Sequence, residues 1–266
     1  MDPRVNLLKE FYAGLPKDRA KVETYEHGFV FLEKLLSGGV TLEYGELTLS
    51  GLLHKYKLGN IPLARMDELL HAHVEKRCNV CLYFDGAANN MFCFNLDNNH
   101  KTDNTVLIPE MEFAVRFIRE QLTGLGCEPL IVASGRGYHA WGRLEAAVDN
   151  DRLYDFMLHV AVNTMAALHE GGRDYRQIKI NVYPDRRIRG VVSLRLFGTD
   201  HAKNKVFSRV LTPDGLLDEA ASWAAFERHL KHGVISREKF DEALALIGAP
   251  GGEPAPAKRP VADSES

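Results

Sequence analysis

The sequence contains no apolar run of about 18 residues, the length that a membrane-spanning helix needs. Its N-terminus, MDPRVNLLKEFYAG, also lacks the apolar centre of a secretory signal peptide. Cysteine is scarce, with four residues in 266, which excludes a disulfide-rich secreted domain. We therefore expect a cytoplasmic protein with no membrane partner, whose cysteines are free thiols or metal ligands.

An overall excess of positive charge is absent as well. The net charge of −3 excludes a generally basic protein, so any surface for nucleic acid has to be a local patch. The composition, 45% apolar and 26% charged, is typical of a globular protein. The length fits one large domain or two small ones, and we find no internal repeat.

The first 75 residues predict helices with one strand or hairpin between them. The apolar segment Phe29–Leu36 ends at two glycines and is predicted to be a helix, and Pro62 opens another helix. Val40–Leu53 alternates like a strand. We predict an N-terminal helical or α+β portion over residues 1–75, packed on a main domain over residues 76–249. Residues 250–266 are rich in proline and small polar residues and are predicted to be a disordered tail.

The main domain reads as a mixture of helices and strands, which predicts an α+β fold. Two apolar runs, Asn79–Phe84 and Met91–Asp97, flank a polar loop and predict a β-hairpin. Helices are predicted to begin at Pro109 and Asn150. Further strands are predicted at Pro129–Ala133, Gln177–Tyr183, Val191–Phe197 and Val206–Leu211, and further helices at Trp223–Lys231 and Ser236–Ile247.

The stretch MFCFNLDNNH, residues 91–100, alternates strictly and predicts a strand with both faces covered. Asn95 and Asp97 share one face of that strand, roughly 7 Å apart along the chain. Two carboxylates so placed would form a metal cradle, but the first of the two residues is an asparagine.

A second motif, SGRGYHAW, follows a predicted strand and places Ser134, Arg136 and His139 among glycines. Glycines such as Gly137 allow a backbone to approach a ligand closely, and arginine and histidine offer hydrogen-bond donors to phosphate oxygens. The alternative is a glycine hairpin whose polar residues are incidental.

A third feature is a concentration of basic residues between positions 179 and 209. Eight basic residues stand against Asp185 and Asp200, a local charge of +6, with His201 in addition. Phosphates are the natural partners of such a patch. The alternative is a solvated strand edge that lysine and arginine protect from aggregation. The basic residues are Lys179, Arg186, Arg187, Arg189, Arg195, Lys203, Lys205 and Arg209.

Four residues have side chains that zinc can use: His71, His73, Cys78 and Cys81. His73 shares the apolar stripe of a predicted helix, and Cys81 belongs to a predicted strand. Structural zinc sites use tighter spacings than this span from helix to strand. The pattern therefore favours a buried histidine and core thiols over a structural zinc site.

The three motifs, FNLDNNH, SGRGYHAW and INVYPDRR…SLRLFGTDHAKNK, together resemble the archaeo-eukaryotic primase superfamily, and its mobile-element branch most closely. The resemblance covers about residues 80–211, and its most specific part is the Ser-Gly-Arg-Gly-x-His core. It implies an RRM-like catalytic core with flanking helices. It also implies metal-dependent nucleotidyl transfer for primer synthesis or extension in DNA replication, in a prokaryotic cell or its mobile elements.

The resemblance implies a role for each matching residue. The expected catalytic positions are Asn95, Asp97, His139 and Asn181. The expected Mg²⁺ or Mn²⁺ ligands are Asp97, Asn95 and Asp185. The expected nucleoside triphosphate contacts are Ser134, Arg136, Gly137, His139, Arg195, His201 and Lys203. The expected contacts to single-stranded or primed nucleic acid are Arg186, Arg187, Arg189 and Lys205. Helicase activity would have to come from a partner, such as another replication or defence protein.

The sequence departs from the family pattern at two metal positions, where Asn95 and Asn181 stand in place of carboxylates. A neutral amide oxygen contributes no charge to a two-metal site. Asp185, or another nearby aspartate, is the candidate to complete it. The alternative function is an inactive module of the same fold that binds nucleotide or nucleic acid. An RNA-binding protein of RRM type is less favoured, because Phe92 and Phe94 look like core residues rather than exposed stacking platforms.

Overall fold

The computed structural model describes residues 2–15, 20–24, 30–36, 39–47, 53–61, 66–84, 87–98, 108–185, 193–201 and 204–248. Helices in these ranges are α1 Pro3–Phe11, α2 Met66–Val74, α3 Pro109–Gly124, α4 Asn150–Glu170, α5 Glu219–His232 and α6 Arg237–Gly248. Strands are β1 Ala20–Thr24, β2 Val30–Leu36, β3 Gly39–Leu47, β4 Leu53–Ile61, β5 Cys78–Tyr83, β6 Ala88–Asn98, β7 Leu130–Ala133, β8 Gly137–Asp149, β9 Ile178–Tyr183, β10 Ser193–Arg195, β11 Arg209–Thr212, β12 Gly215–Leu216 and β13 Val234–Ile235. None of the helices described is long and apolar enough to span a bilayer.

The second of two sheets carries the RRM-like arrangement. Its strands lie in the order β12-β11-β7-β8-β6-β9, and β13 adds to β8. The chain runs β6-α3-β7-β8-α4-β9 through the middle of this sheet, which is the β-α-β-β-α-β unit. All pairs among these four strands are antiparallel. The predicted α+β class with an RRM-like core is therefore confirmed.

One face of this sheet is covered by α3 and α4. Pro109 occupies the first turn of α3, as predicted, and the buried stripe of α3 is Met111, Ala114, Val115, Ile118 and Leu122. Asp149 caps α4 with its side chain, accepting a hydrogen bond from the Asp151 backbone amide at 2.9 Å. Phe92, Phe94 and Leu96 of β6 point into this layer. We call it the helix-side core.

The first sheet has the strand order β10-β5-β1-β2-β3-β4 and packs against the other face of the second sheet. Val80 and Leu194 from the first sheet share a hydrophobic core with Met91, Cys93 and Trp141 from the second. We call this layer the two-sheet core, and α1, α2 and α5 also contribute to it. Strands on both sides of residue 75 belong to the first sheet. The division into domains at that residue stays a prediction.

Two local predictions are wrong. Phe29–Leu36 was predicted to be helical, but β2 is a strand paired with β1 and β3. A short apolar run does not distinguish a buried helix from a strand by its periodicity. The predicted hairpin over residues 79–97 does not form, because β5 pairs with β1 and β10 while β6 pairs with β8 and β9. All six residues of β5 are buried, and the strand lies inside the first sheet between β1 and β10, which come from distant parts of the chain.

Candidate functional site

Three polar residues stand side by side in the middle of the second sheet. In the strand register, Asn95 of β6 lies opposite His139 of β8 on one side and opposite Asn181 of β9 on the other. Residues directly opposite each other share a face, with Cβ atoms about 4.5–5.5 Å apart. We call these three residues the polar row. The first and third sequence motifs and the glycine motif therefore meet at one place.

The polar row continues the face of β6 that carries Cys93 in the two-sheet core. Phe94 and Leu96 point the other way, into the helix-side core. Asp97 follows Asn95 on the same face, as the alternation predicts. Asn95 is 8% exposed and His139 is 7% exposed, so the row is polar although it is largely buried.

Asn95 and Asp97 are joined by a hydrogen bond. The Asn95 Nδ2 group donates to Asp97 Oδ2 at 2.9 Å. A carboxylate at position 95 would place a second anion beside Asp97, which a cation or a proton would have to offset. The amide instead supplies an N–H donor, so the pair is satisfied with a single negative charge.

Tyr183 at the end of β9 closes one side of this pair. Burial raises the pKa of Tyr183 to about 12, while a hydrogen bond with Asn95 acts in the opposite direction. The negative charges of Asp97 and Asp185 also raise the pKa of Tyr183. Asp185, a predicted metal ligand, lies just beyond the end of β9.

The residues present do not fit a two-metal site. Two Mg²⁺ or Mn²⁺ ions need several anionic oxygens, and the polar row offers amides at two of the expected positions. Among the residues that the structure describes, no group of three or more His, Cys, Asp or Glu side chains is arranged to hold a metal ion. The structure therefore joins Asn95 to Asp97 but does not assemble them with Asp185 into a metal-binding group.

The SGRGYHAW motif forms the tight turn between β7 and β8. The Ser134 backbone amide donates to the Gly137 carbonyl at 2.8 Å, and the Ser134 hydroxyl donates to the same oxygen at 3.2 Å. Gly137 cannot be replaced without a shift, since a Cβ there would lie 1.8 Å from the Leu96 carbonyl oxygen. Gly135 has a φ of +96°, which favours glycine. The glycines of the motif are therefore explained by the hairpin itself, and Arg136 lies half-buried at its tip.

Arg195 ties the first sheet to this hairpin. It ends β10, is 8% exposed, and its guanidinium donates to the Ser134 carbonyl. Asn204 donates from its side chain to the Gly135 carbonyl, and its backbone amide donates to His201 Nδ1 at 3.4 Å. The predicted nucleotide contacts Arg195 and His201 are thus brought to the glycine motif. Lys203 lies outside the described residues.

His139 is neutral in this setting. Burial, together with the positive charges of Arg195 and His201, lowers its pKa to about 3. Its ring lies edge-on to Trp141 at a centroid distance of 6.1 Å. The imidazole is therefore available as a neutral hydrogen-bonding group rather than as a cation.

Of the predicted nucleic-acid contacts, Arg186, Arg187 and Arg189 lie outside the described residues. Lys205 is described, is exposed and has a φ of +57°. Lys179 belongs to the basic stretch, and the sequence motifs do not predict it as a site residue. In the strand register it lies opposite Asp97. The period-two alternation of β9, which puts Lys179 on the face of Asn181, was the signal that could have found it.

The zinc-type side chains do not come together around His73. Its Nδ1 accepts from the Val80 backbone amide at 2.9 Å, and its Nε2 donates to the Phe197 carbonyl at 2.9 Å. Burial lowers the pKa of His73 to about 3. Both ring nitrogens are used by the backbone, so His73 links α2 to the two-sheet core and has none left for a metal.

A separate pocket of about 280 Å³ lies near the other end of β6 and β8, lined in part by Phe11, Met91 and Arg143. Met91 is four residues from Asn95, which is about 13 Å along a strand. The pocket is therefore not the polar row, and it touches the first motif only at Met91, the first residue of MFCFNLDNNH.

The chain matches no family model and no curated protein sequence. Among solved structures it is similar to the polymerase domain of Mycobacterium tuberculosis Ligase D in complex with DNA. The sequence identity is 14%, the TM-score is 0.44, and the alignment covers 91% of this chain and 86% of that chain. A likeness at this level assigns no function to the protein.

Proposed function

We propose that the protein is a binding module of the primase-polymerase type, which holds a nucleoside triphosphate and a nucleic-acid strand but extends the strand very slowly or not at all. The observation that carries the proposal is the strand register that aligns Asn95, His139 and Asn181, with Asp97 beside them. Three motifs distant in sequence converge there, and two of them carry the amides that stand where carboxylates are expected.

The phosphates of the nucleotide would lie at the glycine hairpin. Gly137 itself is packed against the β6 backbone, so the groups available to phosphates are the polar side chains around the hairpin. Arg195 supplies a buried positive charge at the base of the hairpin, and Arg136 supplies a second one at its tip. His139 offers a neutral hydrogen-bond donor. This combination suits an anionic ligand with several oxygens.

The transfer step is the part that the site lacks. Nucleotidyl transfer assisted by two metals requires anionic ligands that hold both ions. Asn95 and Asn181 remove two charges from that set, and the Asn95 amide already occupies one oxygen of Asp97. We therefore propose that nucleotide binding persists while chain extension is absent or very slow.

A second candidate is an active nucleotidyltransferase with an unusual ligand set. It is favoured by one observation, namely that Asp97 keeps its carboxylate on the face of the polar row, with Asp185 just beyond the end of β9. If these two carboxylates suffice, the unaltered chain extends a primer in the presence of Mg²⁺ or Mn²⁺. Asp185→Asn should then abolish that extension.

The basic stretch is the proposed contact surface for the template or primer strand. Its charge of +6 contrasts with the net charge of the whole chain, −3. Lysine and arginine in such a stretch neutralise phosphates and are not sequence-specific. Strand separation would require a partner protein such as a helicase.

The test is a titration with a fluorescently labelled nucleoside triphosphate. We expect the unaltered protein to bind it, and His139→Ala to weaken binding by about 1–3 kcal/mol, the cost of losing one charge-assisted hydrogen bond. His169→Ala, an exposed histidine on α4, is the matched control and should bind normally. If His139→Ala binds the triphosphate as tightly as the unaltered protein, the β7–β8 hairpin does not contact the nucleotide and has only a structural role.

A further inference from the structure

Lys179 occupies a position that the proposed function has not used. It lies on β9 directly opposite Asp97 of β6. Ile178 and Val182 of β9 are buried in the helix-side core, so alternation places Lys179 on the opposite face, with Asn181. Its side chain is exposed. The pair of Lys179 and Asp97 therefore lies next to the polar row on the same face of the sheet.

Edge protection is the competing explanation, because β9 is the edge strand of its sheet and lysines commonly guard such edges. Edge protection would be served by a lysine anywhere on the exposed face of β9, whereas the register puts this lysine opposite Asp97. Edge protection also does not account for the other charges at the site, where Arg195 is buried and His139 is held neutral.

Positively charged side chains at the site can take the place of metal ions in attracting phosphates. Two divalent cations held by three carboxylates leave a net charge of about +1 for the phosphates of a substrate. Here Asp97 is the one carboxylate among Asn95, Asp97 and Asn181, while Lys179, Arg195 and Arg136 supply positive charge around it without a metal ion. The loss of carboxylates and the presence of a lysine at the same place thus compensate each other.

We propose that Lys179 supplies the positive charge that a metal would otherwise bring, so that the site binds the polyphosphate of a nucleoside triphosphate without a divalent cation. This inference rests on the proposed function. An ammonium group on a flexible four-carbon stem can reach phosphate oxygens above the row, and three N–H donors meet them directly. Asp97, fixed by Asn95, then orients the lysine rather than a metal ion.

The experiment measures the affinity of a labelled, non-hydrolysable nucleoside triphosphate, once in EDTA and once in Mg²⁺. We expect the unaltered protein to bind with similar affinity in both buffers. Lys179→Met should weaken binding in EDTA by about tenfold or more, as expected for the loss of a charge-assisted contact. Lys179→Arg should retain most of the affinity, since it keeps the charge. Lys231→Met, which changes an exposed lysine on α5, is the matched control and should bind like the unaltered protein.

The outcomes separate this inference from the proposed function. Binding that requires Mg²⁺, or that is indifferent to Lys179→Met, would overturn the role of the lysine and leave the nucleotide site standing. An absence of binding in both buffers would overturn both. Thermal unfolding of each variant shows whether the fold is intact, and an exposed lysine is expected to leave it so.

Discussion

The two faces of the second sheet differ in the side chains that they bury. On the helix-side face, Phe92, Phe94 and Leu96 are fully buried against apolar side chains. On the other face, the apolar Met91 and Cys93 give way to Asn95 and Asp97 along the same strand. The first face is a continuous hydrophobic core. The second face changes from core to polar site within two residues, and the fold accepts buried polar groups there that a purely structural sheet would avoid.

The largest effect should come from restoring charge to the polar face. We expect Asn95→Asp combined with Asn181→Asp to raise primer extension in Mg²⁺ or Mn²⁺ by orders of magnitude, because the anionic ligands for two metals return. The measurement is extension of a labelled primer. Adding Asp97→Ala to the double variant is the control and should abolish the gain. Robust extension by the unaltered chain would instead support the second candidate and show that Asn95 works as it stands.

The helix-side face should respond in stability. Phe92 packs edge-on to Phe94 and Phe156, at centroid distances of 6.0 and 5.7 Å, and Phe92→Ala should cost about 3–5 kcal/mol through the cavity it leaves. Asn181→Ala on the polar face is the matched control and should cost less than about 1 kcal/mol, because this side chain is only half-buried. Urea unfolding measures both. Similar losses of unfolding free energy for the two variants would contradict the proposed difference between the two faces.

Local patterns predicted the elements whose signals are local. Pro109 marked the start of α3, and the alternation of residues 91–97 predicted which residues of β6 face each way. The pairing of β5 with β1 and β10 was missed, since that pairing depends on strands far apart in the chain. Adjacent strands usually form hairpins, and nothing within residues 79–97 signals that these two belong to different sheets.

The sequence predicted which residues form the site, but not how those residues interact with one another. Asn95, His139 and Asn181 came from motifs, and the register then put them side by side. The hydrogen bond from Asn95 to Asp97 was not foreseen, since the motif resemblance treated position 95 as a weakened metal ligand. Lys179 is one of many basic residues in the stretch 179–209. Composition alone does not distinguish a lysine in a binding site from a lysine that protects a strand edge.

A smaller effect is expected for nucleic acid. If the basic stretch tracks phosphates, affinity for single-stranded nucleic acid should fall with salt with a slope near −0.7 per neutralised phosphate. Charge reversal at Arg186, Arg187 and Arg189 should flatten that slope. A salt titration by fluorescence anisotropy measures it. If the affinity for single-stranded nucleic acid does not depend on salt, or if there is no affinity at low salt, the basic stretch does not bind nucleic acid. The protein would then bind nucleotides only.

The most direct test of the account is to observe His139 itself during nucleotide binding, by side-chain NMR of histidine-labelled protein. With its pKa lowered to about 3 by burial, the free His139 ring should stay neutral from pH 8 down to pH 5. We predict that a nucleoside triphosphate shifts the His139 ring signals in a saturable way and leaves those of His169 unchanged. Triphosphate binding that leaves the His139 signals unmoved would contradict the account, because the ligand would then sit away from the polar row.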